Sequence, residues 1–315
     1  MNFFIMIIIY ISIRKNFIYI KKNDIIILLK VIIVLVNMKS MLEKAKNEKY
    51  AVPHFNINNL EWTRFILEEA QKNNSPVILG VSEGAMKYMG GFKTVADMVN
   101  NLNDYLNITV PVALHLDHGS SFEMCKEAID SGFSSVMIDA SKYDLEKNIE
   151  ITKKVVDYAK DKNVSVEAEI GRVGSQEIDN NNGIVYASVS DSETFVNQTG
   201  IDFLAPALGS VHGLYKGKPN LNFERMIEIS KKTNLPLVLH GGTGIYDEQI
   251  KKAIKCGICK INFNTELQIA WSSAIRKKIM ISSDYDPRKI IKMGEDELKN
   301  CVLNKCTLLG SINKA

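Results

Sequence analysis

Eight short apolar runs, rich in β-branched residues, punctuate this chain, and a longer segment of helical period follows each of them. The runs are Tyr50–Asn56, Pro76–Val81, Pro111–His115, Ser135–Ala140, Val164–Ile170, Phe203–Leu208, Leu235–His240 and Lys260–Asn264. The helical stretches are 59–73, 94–106, 121–131, 144–162, 191–199, 223–233, 247–256 and 266–281. Strand runs with little polar alternation are buried on both faces, as in a parallel sheet clothed by helices. Eight alternating units over about 230 residues predict an α/β fold of the (β/α)8 TIM-barrel type. A further helical pair over 286–313, after Asp286-Pro287, predicts extra C-terminal helices. A doubly wound open sheet is the alternative, but no G-x-G-x-x-G follows the first strand.

Residues 1–33 stand apart from this pattern. Their two apolar runs, Phe3–Ile13 and Ile25–Val36, are each short of the roughly 18–20 residues that span a bilayer. Arg14 and Lys15 follow the first run, the reverse of a secretory signal. We read 1–33 as an apolar leader from an over-extended gene start, with a membrane-associating segment as the rival, and 34–315 as the barrel domain. The formal charge of +3 comes from this leader, which holds five basic residues and only Asp24 against them. The remainder has 34 basic and 35 acidic residues and no clustered basic face, which argues against a nucleic-acid partner. Five cysteines without a secretory signal point to reduced thiols and a cytoplasmic protein. Cys256-Gly-Ile-Cys259 has redox spacing, but it opens a strand instead of a helix, so no helix N-terminus activates the thiolate.

The chemistry gathers at the strand ends. Of five histidines, four lie at or just past the ends of strands three, six and seven: His115, His118, His212 and His240. In a barrel those ends share one rim. Three imidazoles from different strands, His118, His212 and His240, with an open fourth position make a catalytic zinc site. His54 and His115 read as packed or supporting residues. Asp117 is placed to act as general acid/base or to orient an imidazole. Asp139 and Glu169 also end strands, as an alternative or second divalent position or as charge balance. Gly241-Gly242-Thr243 after strand seven and Asn262-Phe263-Asn264-Thr265 after strand eight make a phosphate cradle, because glycine turns and strand-end loops bring N–H groups close to an anion. The long polar connection Gly171–Val189 sits where a mobile active-site loop would lie. A Schiff-base mechanism would need a buried strand lysine, and Lys260, at the start of strand eight, is the one candidate.

These motifs resemble the class II fructose-bisphosphate and tagatose-bisphosphate aldolases of the shorter, class IIB type. The resemblance runs from about Leu35 to the C-terminus. It includes Tyr50-Ala51-Val52, Phe55-Asn56, Gly80 to Ala85, His115-Leu116-Asp117-His118-Gly119, Ala205 to Gly213, Leu239 to Gly244, Lys260-Ile261-Asn262 and Tyr285-Asp286-Pro287-Arg288. It implies reversible cleavage of fructose 1,6-bisphosphate to dihydroxyacetone phosphate and D-glyceraldehyde 3-phosphate, with tagatose 1,6-bisphosphate as the alternative substrate. It implies zinc on His118, His212 and His240, Asp117 as proton donor and acceptor, and Asp139 and Glu169 at a second metal position. Gly213, Gly241, Gly242, Thr243 and Asn262 to Thr265 match residues that hold dihydroxyacetone phosphate. Ser82 matches a contact to the aldehyde half, Glu177 a loop proton carrier, and Arg288 a phosphate contact from a neighbouring subunit. A monovalent cation near Val211 and Gly213 and a homodimer or homotetramer are also implied. Two departures stand out: the loop motif Gly-Gly-Gln-Glu-Asp is Gly174-Ser175-Gln176-Glu177-Ile178 here, and Leu214 replaces a frequent proline. A metal-dependent epimerase on the same fold and a barrel that only binds sugar phosphates are the rival classes.

Overall fold

A computed structural model describes residues 8–12, 17–22, 25–30, 35–175, 185–215 and 217–315. It divides into two compact units, Met1–Val34 and Leu35–Ala315. In the first, Ile8–Ser12, Phe17–Lys22 and Ile25–Lys30 pair as an antiparallel sheet. In the second, eight parallel strands close into a barrel. They are β1 (Val52–Asn56), β2 (Val77–Ser82), β3 (Val112–Gly119), β4 (Ser135–Ile138), β5 (Ser165–Ile170), β6 (Phe203–Pro206), β7 (Leu237–Leu239) and β8 (Ile258–Phe263). Each pairs with its neighbour in sequence, and β8 closes on β1 through Asn262 opposite His54 and Phe263 opposite Phe55. The predicted architecture holds.

The helices outside the barrel begin where side chains can satisfy their orphan amides. Asn59, Ser121, Asp144, Ser188 and Asn222 each accept a hydrogen bond from the backbone N–H three residues on. The short helix Glu83–Met89 was not foreseen: Ser82 caps its start, and Gly90 ends it in the left-handed region at φ 94°. The predicted C-terminal pair appears as Pro287–Lys292 and Glu295–Leu309, the second packing on the helices Leu60–Lys72 and Thr265–Ile279.

Period-two alternation splits each strand between two cores. Outward residues such as Leu79, Leu114, Val136, Ala168 and Leu239 pack under the helices. Inside, the floor of the barrel is apolar: Val52, Ile78, Ala113, Phe203 and Val238 meet Met38, Met41, Leu42 and Ala45 of the plugging helix Met38–Glu48. One step up each strand the interior turns polar, with His54, His115, Glu167, His240 and Lys260 all buried. Layers of inward side chains are expected in this fold; here the upper one is polar and ionisable and lies beneath the C-terminal rim.

The ring of His54 fits this layer only because Gly80 faces it: a Cβ on Gly80 would lie 1.7 Å from His54 Nε2. Both atoms are enclosed, so the clash cannot be relieved into solvent. Gly80→Ala should therefore lower stability by about 1–3 kcal/mol through overpacking, read as a lower Tm in thermal unfolding. An unchanged Tm would show that the ring has another place to go.

Candidate active site

The strand ends enclose a cavity of about 560 Å3. On β3, Asp117 and His118 are consecutive, and a regular strand would send them to opposite faces. The pairing register of β3 with β4 slips between Leu116 and Gly119, and His118 adopts the left-handed region at φ 53°. Such irregularities re-aim a side chain beside an active site. Here the slip lets both residues line the cavity. His212 is held differently: Val211–His212 pairs in parallel with Gly174–Ser175, so loops after β5 and β6 brace each other. His240 follows β7 and is buried.

These three imidazoles converge. Ring centroids of His118 lie 5.1 Å from His212 and 4.7 Å from His240, and one nitrogen from each of the three falls within 4.8 Å of the others. Three nitrogens gathered in this way are a donor set of the kind that holds a zinc ion. The hydrogen bonds choose the nitrogens. His118 Nδ1 is held by Asp139 Oδ2 at 2.8 Å, leaving Nε2 to face the cavity. His240 Nε2 is held by Glu167 Oε1 at 2.9 Å, and its buried Nδ1 makes no well-formed hydrogen bond but lies 3.4 Å from Glu169 Oε2. An orphaned buried nitrogen beside two other imidazoles is what a metal ligand looks like without its ion. His118, Asp139 and Glu169 form a second group of the same span, in which Glu169 Oε2 is likewise buried and unpartnered.

Beside them, Asp117 is clamped: Asn56 Nδ2 donates to its Oδ2 at 2.8 Å and Asn262 Nδ2 to its Oδ1 at 3.3 Å. Burial pushes its pKa up, but His54, His118, His240 and Lys260 outweigh this and hold it well below the usual carboxylate range. The group stands ready as a base. Burial likewise disfavours charge on His118, but Asp117 and the Asp139 hydrogen bond push its pKa up to about 10. His212, beside two other imidazoles, falls to about 3 through burial and their charge. His54 and His115 are kept neutral by burial and by Lys260, the latter down to about 3.

Below the rim, Glu167 joins three strands. It accepts from Lys260 Nζ at 2.8 and 3.0 Å as well as from His240, and all three side chains are fully buried. Lys260 is the third residue of β8 and not its first, as the sequence had suggested. Its ammonium is committed to Glu167 at 2.8 and 3.0 Å, so Lys260 is not presented to the cavity as a Schiff-base lysine.

On the opposite wall, Gly241 turns at φ 67° so closely against the neighbouring loop that a Cβ would stand 2.2 Å from Val211 O. Gly213, Thr243, Asn264 and Thr265 line the cavity here. The helix Thr265–Ile279 begins without a side-chain cap from Asn264, and of its first N–H groups Glu266 donates to Thr243 Oγ1 at 3.3 Å. Gly242 donates its N–H to Asn262 O and packs against Ile261, and Phe263 faces the outer apolar layer; neither lines the cavity. Ser82 does, and since its hydroxyl oxygen accepts from Ala85 N–H, its proton is free to be donated. Arg288 is bound to Asp286 and its side chain is 89% exposed, away from the cavity of its own chain. Glu177 lies outside the described residues, as do residues 176–184 of the loop expected to be mobile; the base of that loop carries a two-hydrogen-bond bridge between Arg172 and Val185. All five cysteines are free, so Cys256 and Cys259 form no disulfide.

Comparison with known proteins decides the family. The model for "Fructose-bisphosphate aldolase class-II" matches residues 36–314. The chain belongs to the class II fructose-bisphosphate aldolase family. It is 59% identical over 283 residues to a fructose-bisphosphate aldolase of Geobacillus stearothermophilus, covering 89% of this chain and 99% of that protein. It is 57% identical, with the same coverage, to one of Staphylococcus epidermidis. Among solved structures it resembles the YdjI aldolase from Escherichia coli K12, with a TM-score of 0.80, 35% identity, and coverage of 89% and 99%. Fructose-bisphosphate aldolase from Campylobacter jejuni follows with a TM-score of 0.77 and 25% identity, covering 89% and 97%. Class II aldolases are metal-dependent lyases, and the donor set just described fits a divalent ion. No helix among the described residues is long and apolar enough to cross a membrane.

In this aldolase family member the sequence had not singled out Asn56, which holds Asp117, or Glu167, which holds His240. Asn56 was findable, because it ends β1 by the rule that selected Asp117 and Asp139. The role of Glu167 was not, since its partners lie on β7 and β8. Glu167→Gln should weaken zinc binding by roughly 10–100-fold, as loss of an orienting carboxylate does, measured by chelator competition on folded protein. Equal affinity in the variant would mean that Glu167 does not orient His240.

Proposed function

We propose that this chain cleaves fructose 1,6-bisphosphate reversibly to dihydroxyacetone phosphate and D-glyceraldehyde 3-phosphate, the aldol step of glycolysis, using zinc held by His118, His212 and His240. The observation that carries the reading is the convergence of three imidazole nitrogens within 4.8 Å beside a clamped, ionised aspartate. When bound, zinc polarises a carbonyl and stabilises negative charge on oxygen. The chain does the rest. Asp117 takes the proton from the C4 hydroxyl as the C3–C4 bond breaks, and Asn56 and Asn262 hold its carboxylate at the angle this needs. Glu177, from the loop after β5, returns a proton to carbon three. Gly213, Gly241, Thr243, Asn264 and Thr265 hold the 1-phosphate, while Gly242 and Phe263 back this cradle. Ser82 donates to the aldehyde half.

Asp139 and Glu169 provide an alternative position for the divalent ion. A monovalent cation beside Val211 and Gly213, a homodimer or homotetramer in which Arg288 serves a neighbouring site, and a cytoplasmic location follow from the family resemblance. Residues 1–33 are read as lying outside the catalytic unit, since the family match begins at residue 36. Tagatose 1,6-bisphosphate differs only in configuration at C4; the identity of 57–59% to fructose-bisphosphate aldolases favours fructose.

Two experiments test this. Incubation with EDTA should abolish cleavage of fructose 1,6-bisphosphate, and added zinc should restore it; activity indifferent to the chelator would remove the metal from the mechanism. Asp117→Ala should keep its zinc but lose on the order of 10²–10⁴ in kcat, the usual cost of a missing general base. Undiminished turnover would refute its role.

A further inference from the structure

We propose that Lys305, on the C-terminal helix Glu295–Leu309 and not among the cavity-lining residues, is a positioning residue for the 1-phosphate: its ammonium cancels the charge of Glu266 behind the cradle. This deepens the aldolase reading above and rests on it. The residues assigned to that phosphate, Gly213, Gly241, Thr243, Asn264 and Thr265, are all neutral, while Asp117, Asp139 and Glu169 line the same cavity. A dianion held by neutral dipoles is sensitive to any further unpaired carboxylate close by, because Coulomb energy falls only inversely with distance. Glu266 is such a carboxylate. It follows Thr265 in the chain and stands in the first turn of the helix Thr265–Ile279.

The helix has its own use for this residue. Asn264 leaves the helix start without a side-chain cap, and an acid in the first turn faces the positive end of the helix dipole. The same charge opposes a phosphate at that end, where Thr265 lines the cavity. Lys305 separates the two effects. Its Nζ lies 2.8 Å from Glu266 Oε1, and the two side chains are only 12% and 35% exposed, so solvent screens the pair weakly. Glu266 Oε2 is buried with no hydrogen-bond partner, so among the described residues Lys305 is the one partner this carboxylate has. The backbone of Glu266 faces the other way: its N–H donates to Thr243 Oγ1 at 3.3 Å, which leaves the Thr243 hydroxyl proton free for the phosphate.

Lys305 is itself firmly placed. Leu298, Val302, Cys306 and Leu309 bury one side of its helix. Its ammonium also lies 5.1 Å from the centroid of the Phe263 ring, within the range of a cation–π contact. Phe263 and Glu266 flank Asn264 and Thr265 in the chain, so one lysine secures the segment on both sides of these two cradle residues.

The test runs the reaction in the direction of synthesis, where the 1-phosphate arrives on dihydroxyacetone phosphate and the other phosphate on glyceraldehyde 3-phosphate. Lys305→Met keeps the aliphatic stem and removes the charge. It should raise KM for dihydroxyacetone phosphate by roughly 5–20-fold, as one uncompensated charge near a dianion implies. The KM for glyceraldehyde 3-phosphate and kcat should hardly move, and Lys305→Arg should behave as the parent. Glu266→Gln alone should not raise KM for dihydroxyacetone phosphate, and Glu266→Gln combined with Lys305→Met should recover most of the loss. Zinc content and the circular-dichroism spectrum establish that each variant is folded and loaded. An unchanged KM in Lys305→Met, equal rises for both triose phosphates, or a double variant no better than Lys305→Met would overturn the proposal while leaving the aldolase reading intact. Failure of the parent enzyme to join the two triose phosphates would sink the aldolase reading itself.

Discussion

Inside the barrel, a glutamate, a lysine and a histidine from β5, β8 and the end of β7 meet without any exposure to solvent. Isolated, each ion would be costly to bury; joined, Glu167 satisfies Lys260 and at the same time fixes one nitrogen of His240. Breaking such a buried pair leaves an uncompensated charge worth roughly 3–5 kcal/mol. The metal site proposed here stands on this arrangement, because Glu167 fixes the ring of His240 from below. The same lysine helps to keep His54 and His115 neutral and Asp117 ionised. One buried cation thus sorts the protonation states of the layer beneath the reaction.

Above this layer the backbone departs from ideal geometry where function requires it. A straight β3 would bury either Asp117 or His118 under the helices. The slipped register and the left-handed conformation at His118 avoid that choice. Strain of this kind persists only where the surroundings over-determine it; here Asp139 holds the ring on one side, and Asn56 and Asn262 fix its neighbour on the other. The rim is therefore built from opposed restraints: a strained strand end, a ladder between two loops under His212, and a glycine turn pressed against that ladder.

Much of this was legible in the chain. The eight runs fell where the eight strands lie, because a strand buried on both faces needs an apolar, β-branched stretch, and few other elements produce one so short. Histidines at strand ends could be assigned to one rim because parallel barrels place all such ends together. Other features were hidden. The helix Glu83–Met89 is too short to carry a clear period, and β3 continues through His118 because an irregular strand has no alternation to read. Lys260 was misread as a strand start because Ile258 and Cys259 continue the preceding turn in sequence while belonging to β8 in space.

The sequence by itself determined the fold class, through periods of two and 3.6 read locally, and it set His118, His212, His240 and Asp117 at strand ends that a parallel barrel brings to one rim. Only the tertiary structure decided which nitrogen of His118 and His240 is held by a carboxylate, that Lys260 pairs with Glu167, and that Asn56 and Asn262 clamp Asp117. Those contacts join strands far apart in the chain. Which inward side chains come level is fixed when the barrel closes, by the stagger of all eight strands together, and no local pattern carries that information.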